Sequence, residues 1–228
     1  MPELRRNFHA HLRFLEDDIL GMGQRVLRML ARGMAALQSR RGDEADAVIA
    51  ADDEVDALYR ATQERVLALL ALEAPVASEL RLVSALMHTS IRLERVGDLC
   101  VNIARYARQS EQLADDADVR RVLEEMGTHA HRLLERSLQS LAHRDVALAQ
   151  ELPELDDPLD RLNAGLSPRL VQLAAGDVQR LDWAFHTVLV GRYLERIGDH
   201  AVAIGQQVVF YACGTANEPA ATPRTVQR

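Results

Sequence analysis

Eight acidic residues form four pairs, and the two members of each pair lie four positions apart in the sequence. The pairs are Asp52 with Asp56, Glu94 with Asp98, Asp156 with Asp160, and Glu195 with Asp199. Residues at this spacing lie on one face of an α-helix, so each pair presents two carboxylates side by side. Carboxylate oxygens are hard ligands that suit magnesium, calcium, manganese and iron. A metal site is therefore possible wherever two such pairs meet.

Two of the pairs belong to an internal repeat. The segment LERVGDLCVNIA at 93–104 returns as LERIGDHAVAIG at 194–205, so that 195 − 94 = 101 and 199 − 98 = 101. A dense self-match at one offset indicates a duplication, and this offset is about the length of a small domain. We therefore expect one domain duplicated, with two acidic pairs in each copy.

The composition favours helices and excludes several classes of protein. Apolar residues make up 48% of the 228 positions but aromatic residues only 4%, which is typical of helical proteins and unusual for β-sheet. A net charge of −7 argues against nucleic acid as the main partner. Two cysteines cannot form a disulfide framework, and no apolar run is long enough to span a membrane. We expect a soluble cytoplasmic protein that neither crosses a membrane nor binds nucleic acid.

The apolar periodicity predicts the whole architecture. Apolar residues at alternating spacings of three and four predict six helices, at about 6–40, 43–72, 76–111, 117–142, 145–173 and 178–212. Short turns between them favour antiparallel packing. The predicted fold class is all-α, with two three-helix bundles in tandem at 1–112 and 113–214. The remaining residues, 215–228, lack apolar periodicity and are predicted to form a disordered tail.

Glycine and proline mark the least regular places in this prediction. Gly42 is expected to end the first helix. The fifth helix contains Pro153, Pro158 and Pro168, and interior prolines kink or end helices. Asp157 followed by Pro158 has the pattern of a helix start, which leaves open an interruption of the fifth helix at that point.

The acidic pairs flank the predicted core. Glu94 follows the inward-facing Leu93 by one residue, a rotation of roughly 100° around the helix. Asp52 follows the inward-facing Ala51 in the same way. Such flanks of neighbouring antiparallel helices either share a groove or point to opposite sides, and the sequence leaves both arrangements open. In a shared groove four carboxylates would repel one another, and a bound cation would remove that conflict.

Two further side chains are candidate ligands. Asn102 lies four residues after Asp98 and adds a neutral oxygen, whereas its counterpart in the second copy is Ala203. His200, next to Asp199, offers a nitrogen ligand in the second copy alone. The two sites are therefore expected to differ.

Gly97 and Gly198 interrupt otherwise good helical sequence, at a cost of roughly 1 kcal/mol each relative to alanine. This cost indicates the close approach of another group at both positions. The group is either a neighbouring helix or a metal cluster.

Two other kinds of function compete with a metal-binding regulator. A ferritin-type dimetal enzyme uses Glu-x-x-His on two helices, and no histidine of this chain has a glutamate three residues before it. The sequence also lacks a catalytic triad and a glycine-rich phosphate loop, so we expect a protein that is not an enzyme. The other alternative is a helical scaffold whose acidic faces bind no metal, because carboxylates on a helix surface are usually only solvated.

With these motifs the chain resembles the PhoU family of bacterial phosphate-signalling regulators. The resemblance rests on DDEVDALY at 52–59 with ERVGD at 94–98, and on LDDPLDRL at 155–162 with ERIGD at 195–199. It extends over about 7–212. The family fold is a pair of three-helix bundles, the architecture that periodicity predicts independently.

The resemblance implies a function that the residues alone do not. It implies a phosphate-specific transport accessory protein that represses the phosphate regulon and acts with the ATPase of the phosphate ABC transporter and a phosphate-sensing histidine kinase. It also implies a homodimer and bound metal, with iron, manganese, magnesium and zinc as the candidates. The metal ligands it implies are Asp52, Asp56, Glu94, Asp98, Asp156, Asp160, Glu195 and Asp199.

Overall fold

Six helices form the whole of the described architecture. The structure, a computed structural model, describes residues 2–40, 42–110 and 115–214. The helices are α1 Pro2–Ser39, α2 Gly42–Glu73, α3 Ser78–Gln109, α4 Ala117–His143, α5 Val146–Ala174 and α6 Val178–Cys213. The predicted all-α fold of two three-helix bundles is confirmed. The predicted boundary at 112–113 and the predicted tail at 215–228 lie outside the described residues.

The turn between α1 and α2 differs from the prediction. Gly42 was expected to end α1, but it is the first residue of α2. Arg40 ends the helix instead: it adopts a left-handed backbone with φ of 54°, and its N–H donates to Ala36 O at 2.8 Å. The Arg40 guanidinium also donates to the carbonyl of Ser110, and this tertiary bond helps to hold a conformation that is uncommon for arginine.

Helix α5 runs from Val146 to Ala174 without interruption, so the predicted helix at 145–173 is confirmed and the interruption left open at Pro158 does not occur. Pro153 and Pro168 are exposed and Pro158 is half-buried, so their rings lie away from the centre of the core. A proline at 153 removes the N–H that would donate to Ala149 O. Packing against α6 holds the helix together across these positions.

Three glycines seven residues apart bring α6 unusually close to α5. A Cβ atom built on any of them would lie 2.4–2.6 Å from a side-chain atom of α5, closer than real Cβ atoms come. The pairs are Gly191 with Leu166, Gly198 with Asp156, and Gly205 with Leu152. At Gly205 the same Cβ would lie 3.2 Å from Ala149 O, the carbonyl that Pro153 leaves without its helical donor. The glycines therefore mark a close contact between helices.

The first bundle has a looser version of this contact. The counterparts of the three glycines on α3 are Ser90, Gly97 and Ala104. A Cβ on Gly97 would lie 3.2 Å from Asp52 Oδ1 and 3.4 Å from Val55 Cγ1. The contact at Gly97 is therefore less close than the contact at Gly198.

The two bundles lie side by side, with α3 antiparallel to α6. Tyr106 shares a hydrogen bond with the hydroxyl of Thr187 at 3.1 Å, and Arg81 Nε donates to Tyr211 O at 3.4 Å. Helices α1 and α4 also touch, and the buried apolar side chains of both bundles form one continuous cluster. The relative position of the two acidic regions is therefore fixed by a shared core.

We expect alanine substitutions to separate the close glycines from an open one. Gly165→Ala should raise the free energy of unfolding by about 0.5–1 kcal/mol, because nothing lies within 4 Å of the new methyl group and alanine favours helix. Gly198→Ala should lower it by about 1–3 kcal/mol, because overpacking outweighs the gain in propensity. Gly97→Ala should fall between the two. Urea unfolding of the three variants measures the difference, and a Gly198→Ala variant as stable as Gly165→Ala would contradict the described contact.

Candidate functional site

The first groove, defined as Asp52, Asp56, Glu94 and Asp98, lies between α2 and α3. Asp52 directs Oδ1 across the groove onto Gly97 of the facing helix. The pKa of Asp52 is raised from 3.8 to about 6, first by burial and then by the neighbouring charges of Asp56, Asp98 and Glu94. Of the two arrangements that the sequence left open, the carboxylates of α2 and α3 therefore share a groove and do not point to opposite sides of the bundle.

An arginine of α3 already compensates part of this charge. Arg95 places Nη1 3.3 Å from Asp98 Oδ2 and Nε 3.5 Å from Glu94 Oε2. The pKa of Glu94 is nevertheless raised, mainly by burial and then by Asp98, while Arg95 acts in the opposite direction. The first groove keeps an excess of negative charge.

The second groove, defined as Asp156, Asp160, Glu195 and Asp199, lies between α5 and α6 and is tighter. Asp156 is only 8% exposed and its Oδ1 presses against Gly198. The pKa of Asp156 is raised from 3.8 to about 7, first by burial and then by the charges of Asp160, Asp199 and Glu195. Buried carboxylate oxygens ordinarily have partners, but Asp156 Oδ1 and Glu195 Oε2 find none in the described part of the chain.

The compensating arginine of the second groove comes from a different position. Arg192 Nη1 donates to Glu195 Oε1 at 3.0 Å, and the counterpart of Arg192 in the first copy is Ile91. The pKa of Glu195 is still raised, mainly by burial and then by Asp199. The pKa of Asp160 is also raised by burial, against the opposing charge of Arg192. The duplicated motif thus has the same carboxylates in both copies but a different arginine in the direct ion pair, while Arg196, the counterpart of Arg95, also acts to lower the pKa of Glu195.

The two additional predicted ligands, Asn102 and His200, lie in different surroundings. Asn102 Oδ1 accepts a hydrogen bond from Arg105 Nη1 at 3.4 Å along α3. His200 is buried, and its pKa falls to about 4 through burial and then through Arg92, Arg196 and Arg95. The groups that act on His200 are thus arginines, which places its ring at the contact of α3 with α6.

The oxygen donors of the grooves are of the type that binds cations, but their side chains are not arranged around a common point. Among the described residues, no three His, Cys, Asp or Glu side chains lie close enough together to ligate one ion. The two buried oxygens without partners and the raised pKa values show, however, that the second groove holds negative charge without enough compensation. A bound cation would supply that compensation, and rotation of carboxylate side chains would bring ligands to it.

The glycine spacing along α6 and the pairing of Arg192 with Glu195 were not predicted from the sequence. The spacing was visible as Gly191, Gly198 and Gly205, each seven residues apart and hence on one helix face. Arg192 was visible three residues before Glu195, a spacing at which helical side chains meet.

We expect Asp156→Asn to stabilise the protein in chelator at pH 8. The folded-state pKa of Asp156 lies above its unfolded value, so folding binds protons between about pH 4 and 7 and stability falls as the pH rises through this window. Replacing the charge should raise the free energy of unfolding at pH 8 by something on the order of 2 kcal/mol. Urea unfolding at pH 8 and pH 5 tests this, because the gain should shrink at pH 5. Asp17→Asn, at an exposed position, is the control, and an equal effect of both variants would contradict the described charge.

Comparison with known proteins identifies the family of this chain. The PhoU domain family matches residues 19–107 and again 123–208. A relative in Deinococcus radiodurans, named phosphate-specific transport system accessory protein PhoU homolog, is 31% identical and covers 93% of this chain and 99% of its own. A relative of the same name in Pseudomonas aeruginosa is 28% identical over 93% of this chain and 88% of its own.

Solved structures agree with the sequence comparison. The crystal structure of PhoU from Pseudomonas aeruginosa matches with a TM-score of 0.87 at 28% identity, covering 91% of this chain and all of that one. The phosphate transport system regulatory protein PhoU from Streptococcus pneumoniae matches with a TM-score of 0.83 at 26% identity, covering 92% and 98%. Within the described residues, no helix is apolar over a sufficient length to cross a membrane. The names describe accessory and regulatory proteins rather than enzymes. With both halves matched by the domain family and nearly the whole chain aligned to curated relatives, this protein belongs to the PhoU family of phosphate transport accessory proteins.

Proposed function

We propose that this protein is a cytoplasmic, homodimeric negative regulator of the phosphate regulon. In this role it links the ATPase of the phosphate ABC transporter to a phosphate-sensing histidine kinase. The observation that carries the proposal is the match of both halves of the chain to the PhoU domain, together with relatives named as accessory proteins of phosphate transport. An adaptor of this kind acts by binding, and it needs exposed surfaces that partners can cover.

Exposed apolar side chains at equivalent places of the two copies support such docking. We call the regions around the α2–α3 and α5–α6 turns the hairpin tips. Leu80 at the first tip is 46% exposed and its counterpart Leu181 at the second is 54% exposed. On α2 and α5 the equivalent residues lie 104 positions apart, as Asp52 and Asp156 do, because 156 − 52 = 104. By this offset Leu67 corresponds to Val171, and the two are 65% and 68% exposed. Large apolar side chains exposed in groups are typical of interaction sites, and here the duplication has repeated them.

We expect a double charge substitution at the hairpin tips to weaken docking. The Leu80→Glu, Leu181→Glu variant should bind the purified ATPase or the kinase at least about tenfold more weakly, because buried charge without a partner is costly at an interface. Surface plasmon resonance with each partner measures this, and light scattering of the same samples tests for the dimer. Arg28→Glu, at an exposed position of α1, is the matched control.

A wild-type chain that associates with neither partner would contradict the adaptor. A tip variant that binds both partners normally would leave the adaptor in place but move its docking surface elsewhere.

We also propose that the grooves bind metal, with iron, manganese, magnesium and zinc as candidates. The carboxylates that would hold it are the four of each groove defined above. The proposal is supported by the oxygens of Asp156 and Glu195 that lack partners and by the raised pKa values of Asp52 and Asp156. The bound cation would supply fixed positive charge between two helices and hold their surfaces in one arrangement.

The competing function is a scaffold whose grooves bind no metal. It is favoured by the ion pairs that Arg95 and Arg192 already make with groove carboxylates. The two functions differ in whether metal content depends on the groove residues.

We expect protein purified without chelator to contain metal that depends on these residues. Elemental analysis of the wild type should find at least one ion per chain, and the Asp98→Ala, Asp199→Ala double variant should lose most of it, because each substitution removes a ligand from one groove. Asp17→Ala, exposed on α1, should keep the wild-type content. Metal content that is unchanged in the double variant would favour the scaffold.

A further inference from the structure

A cavity of about 550 Å³ lies between α1 and α2, beside the α2–α3 turn, and we call it the α1–α2 cleft. Buried Leu15 and Leu69 form its floor. Phe14 and Leu72 also line it, although they are 64% and 80% exposed. All of its lining residues come from these two helices. The cleft is therefore an apolar trough along the surface of the first bundle.

An ion pair between the two helices lies at each end of the α1–α2 cleft. Arg65 of α2 pairs with Asp18 of α1 at one end, and their side chains are 55% and 29% exposed. At the other end His11 Nδ1 lies 4.0 Å from Glu73 Oε1, and these side chains are 60% and 15% exposed. In both pairs the base is the more exposed partner. A group that enters the cleft from solvent therefore meets basic side chains first.

The internal repeat offers a comparison for this cleft. Met22 and Gly23 of α1 return as Met126 and Gly127 of α4, so that 126 − 22 = 104. The same offset relates α2 to α5. Residues that face each other across the cleft therefore have counterparts on α4 and α5.

The second copy has a charged residue where the first has an exposed aromatic ring. Asp118 corresponds to Phe14, and Arg169 corresponds to Arg65. Arg169 Nη2 donates to Asp118 Oδ2 at 2.9 Å, so an ion pair joins α4 to α5 at this place. The fold therefore does not require an apolar side chain at position 14. Apolar side chains exposed together are typical of interaction sites, and a partner explains their presence in the first copy.

We propose that the α1–α2 cleft binds an amphipathic helix of a partner protein, with an apolar stripe of about two turns and acidic residues on its flanks. The two ends of the cleft are seven residues apart along α1, which is about 10 Å or two helical turns. The apolar stripe covers Phe14 and Leu72. The acidic flanks lie against Arg65 and His11, the exposed members of the two ion pairs.

The shape of the cleft favours a helix over a small molecule. Small-molecule sites typically enclose about 70–90% of the ligand surface. Two helices alone bound this cleft, so a ligand in it keeps one side in water. An amphipathic helix meets this condition, because its polar face stays solvated while its apolar stripe is buried. The inference rests on the proposed adaptor function and adds to it a surface and the chemistry of the partner.

Fluorescence anisotropy of labelled synthetic peptides, titrated with the full-length chain, tests the proposal. The probe is a helical peptide of about 16 residues with leucine along one face and glutamate on both flanks. A second peptide has lysine in place of every glutamate, and a third has the glutamate sequence scrambled so that no apolar stripe remains. The wild type should bind the glutamate peptide saturably and at least about tenfold more tightly than the other two.

Three aspartate variants locate the binding surface. Phe14→Asp places in the first copy the charge that the second copy has, and Leu72→Asp changes the opposite wall. Each should weaken binding of the glutamate peptide at least about tenfold, because an apolar contact is lost and a like charge is added. Leu67→Asp is the matched control, since Leu67 is 65% exposed on α2 but does not line the cleft. It adds the same charge and should bind as the wild type does, and urea unfolding shows that each variant is folded.

The proposal is overturned if the glutamate peptide does not saturate, if the lysine peptide binds equally well, or if the three variants bind alike. Light scattering without peptide, and sedimentation with vesicles of phosphatidylglycerol in phosphatidylcholine, test other occupants. Self-association or vesicle binding that is lost in Phe14→Asp and kept in Leu67→Asp would assign the cleft to a second copy or to a lipid surface, and would also overturn it.

The peptide titration separates this inference from the adaptor function. Peptide binding by a chain that associates with neither the ATPase nor the kinase would keep the helix-binding cleft and contradict the adaptor. Association with either partner, without binding of the glutamate peptide, would keep the adaptor and overturn the cleft.

Discussion

The close approach of neighbouring helices at glycine is the constraint on which the acidic grooves depend. Gly198 has no side chain, so the carboxylate of Asp156 can lie directly against the backbone of α6. Burial of that carboxylate follows from the short distance between helices, and its raised pKa follows from burial. Gly97 does the same for Asp52 with slightly more space, and the pKa of Asp52 is raised less. The space between the helices at the glycine thus determines how deeply the aspartate is buried and how far its pKa is raised.

The internal repeat contains two related grooves, and they are unequal. The carboxylates recur at the same positions, whereas the compensating arginine is Arg95 in one copy and Arg192 in the other. Ser90 and Ala104 stand where the second copy has Gly191 and Gly205, so the very close contacts of those two glycines have no glycine counterpart in the first copy. Two sites of different burial within one rigid core would differ in affinity for the same cation, because a more desolvated carboxylate cluster gains more from neutralisation.

The antiparallel contact of α3 with α6 makes the two halves a single body. A continuous apolar core joins them, so both grooves belong to the same packed unit. An adaptor that docks through both hairpin tips would therefore present them at a fixed separation rather than on independent domains.

The sequence by itself determined the helices, the duplication and the identity of the acidic residues. Apolar spacing is a local property of the chain, so all six helices could be predicted, and the predicted inward-facing residues Leu93 and Ala51 are buried and half-buried respectively. The convergence of Asp52 with Glu94, and of Asp156 with Glu195, was decided by tertiary structure alone, because it depends on the rotation and separation of neighbouring helices. Periodicity within one helix does not specify either quantity. The same reason explains Pro153 and Arg40. Local preference disfavours a continuous helix at Pro153, but α5 continues there in close contact with α6. Local preference favours glycine where Arg40 ends α1, but Arg40 takes the left-handed conformation and its guanidinium donates to the carbonyl of Ser110.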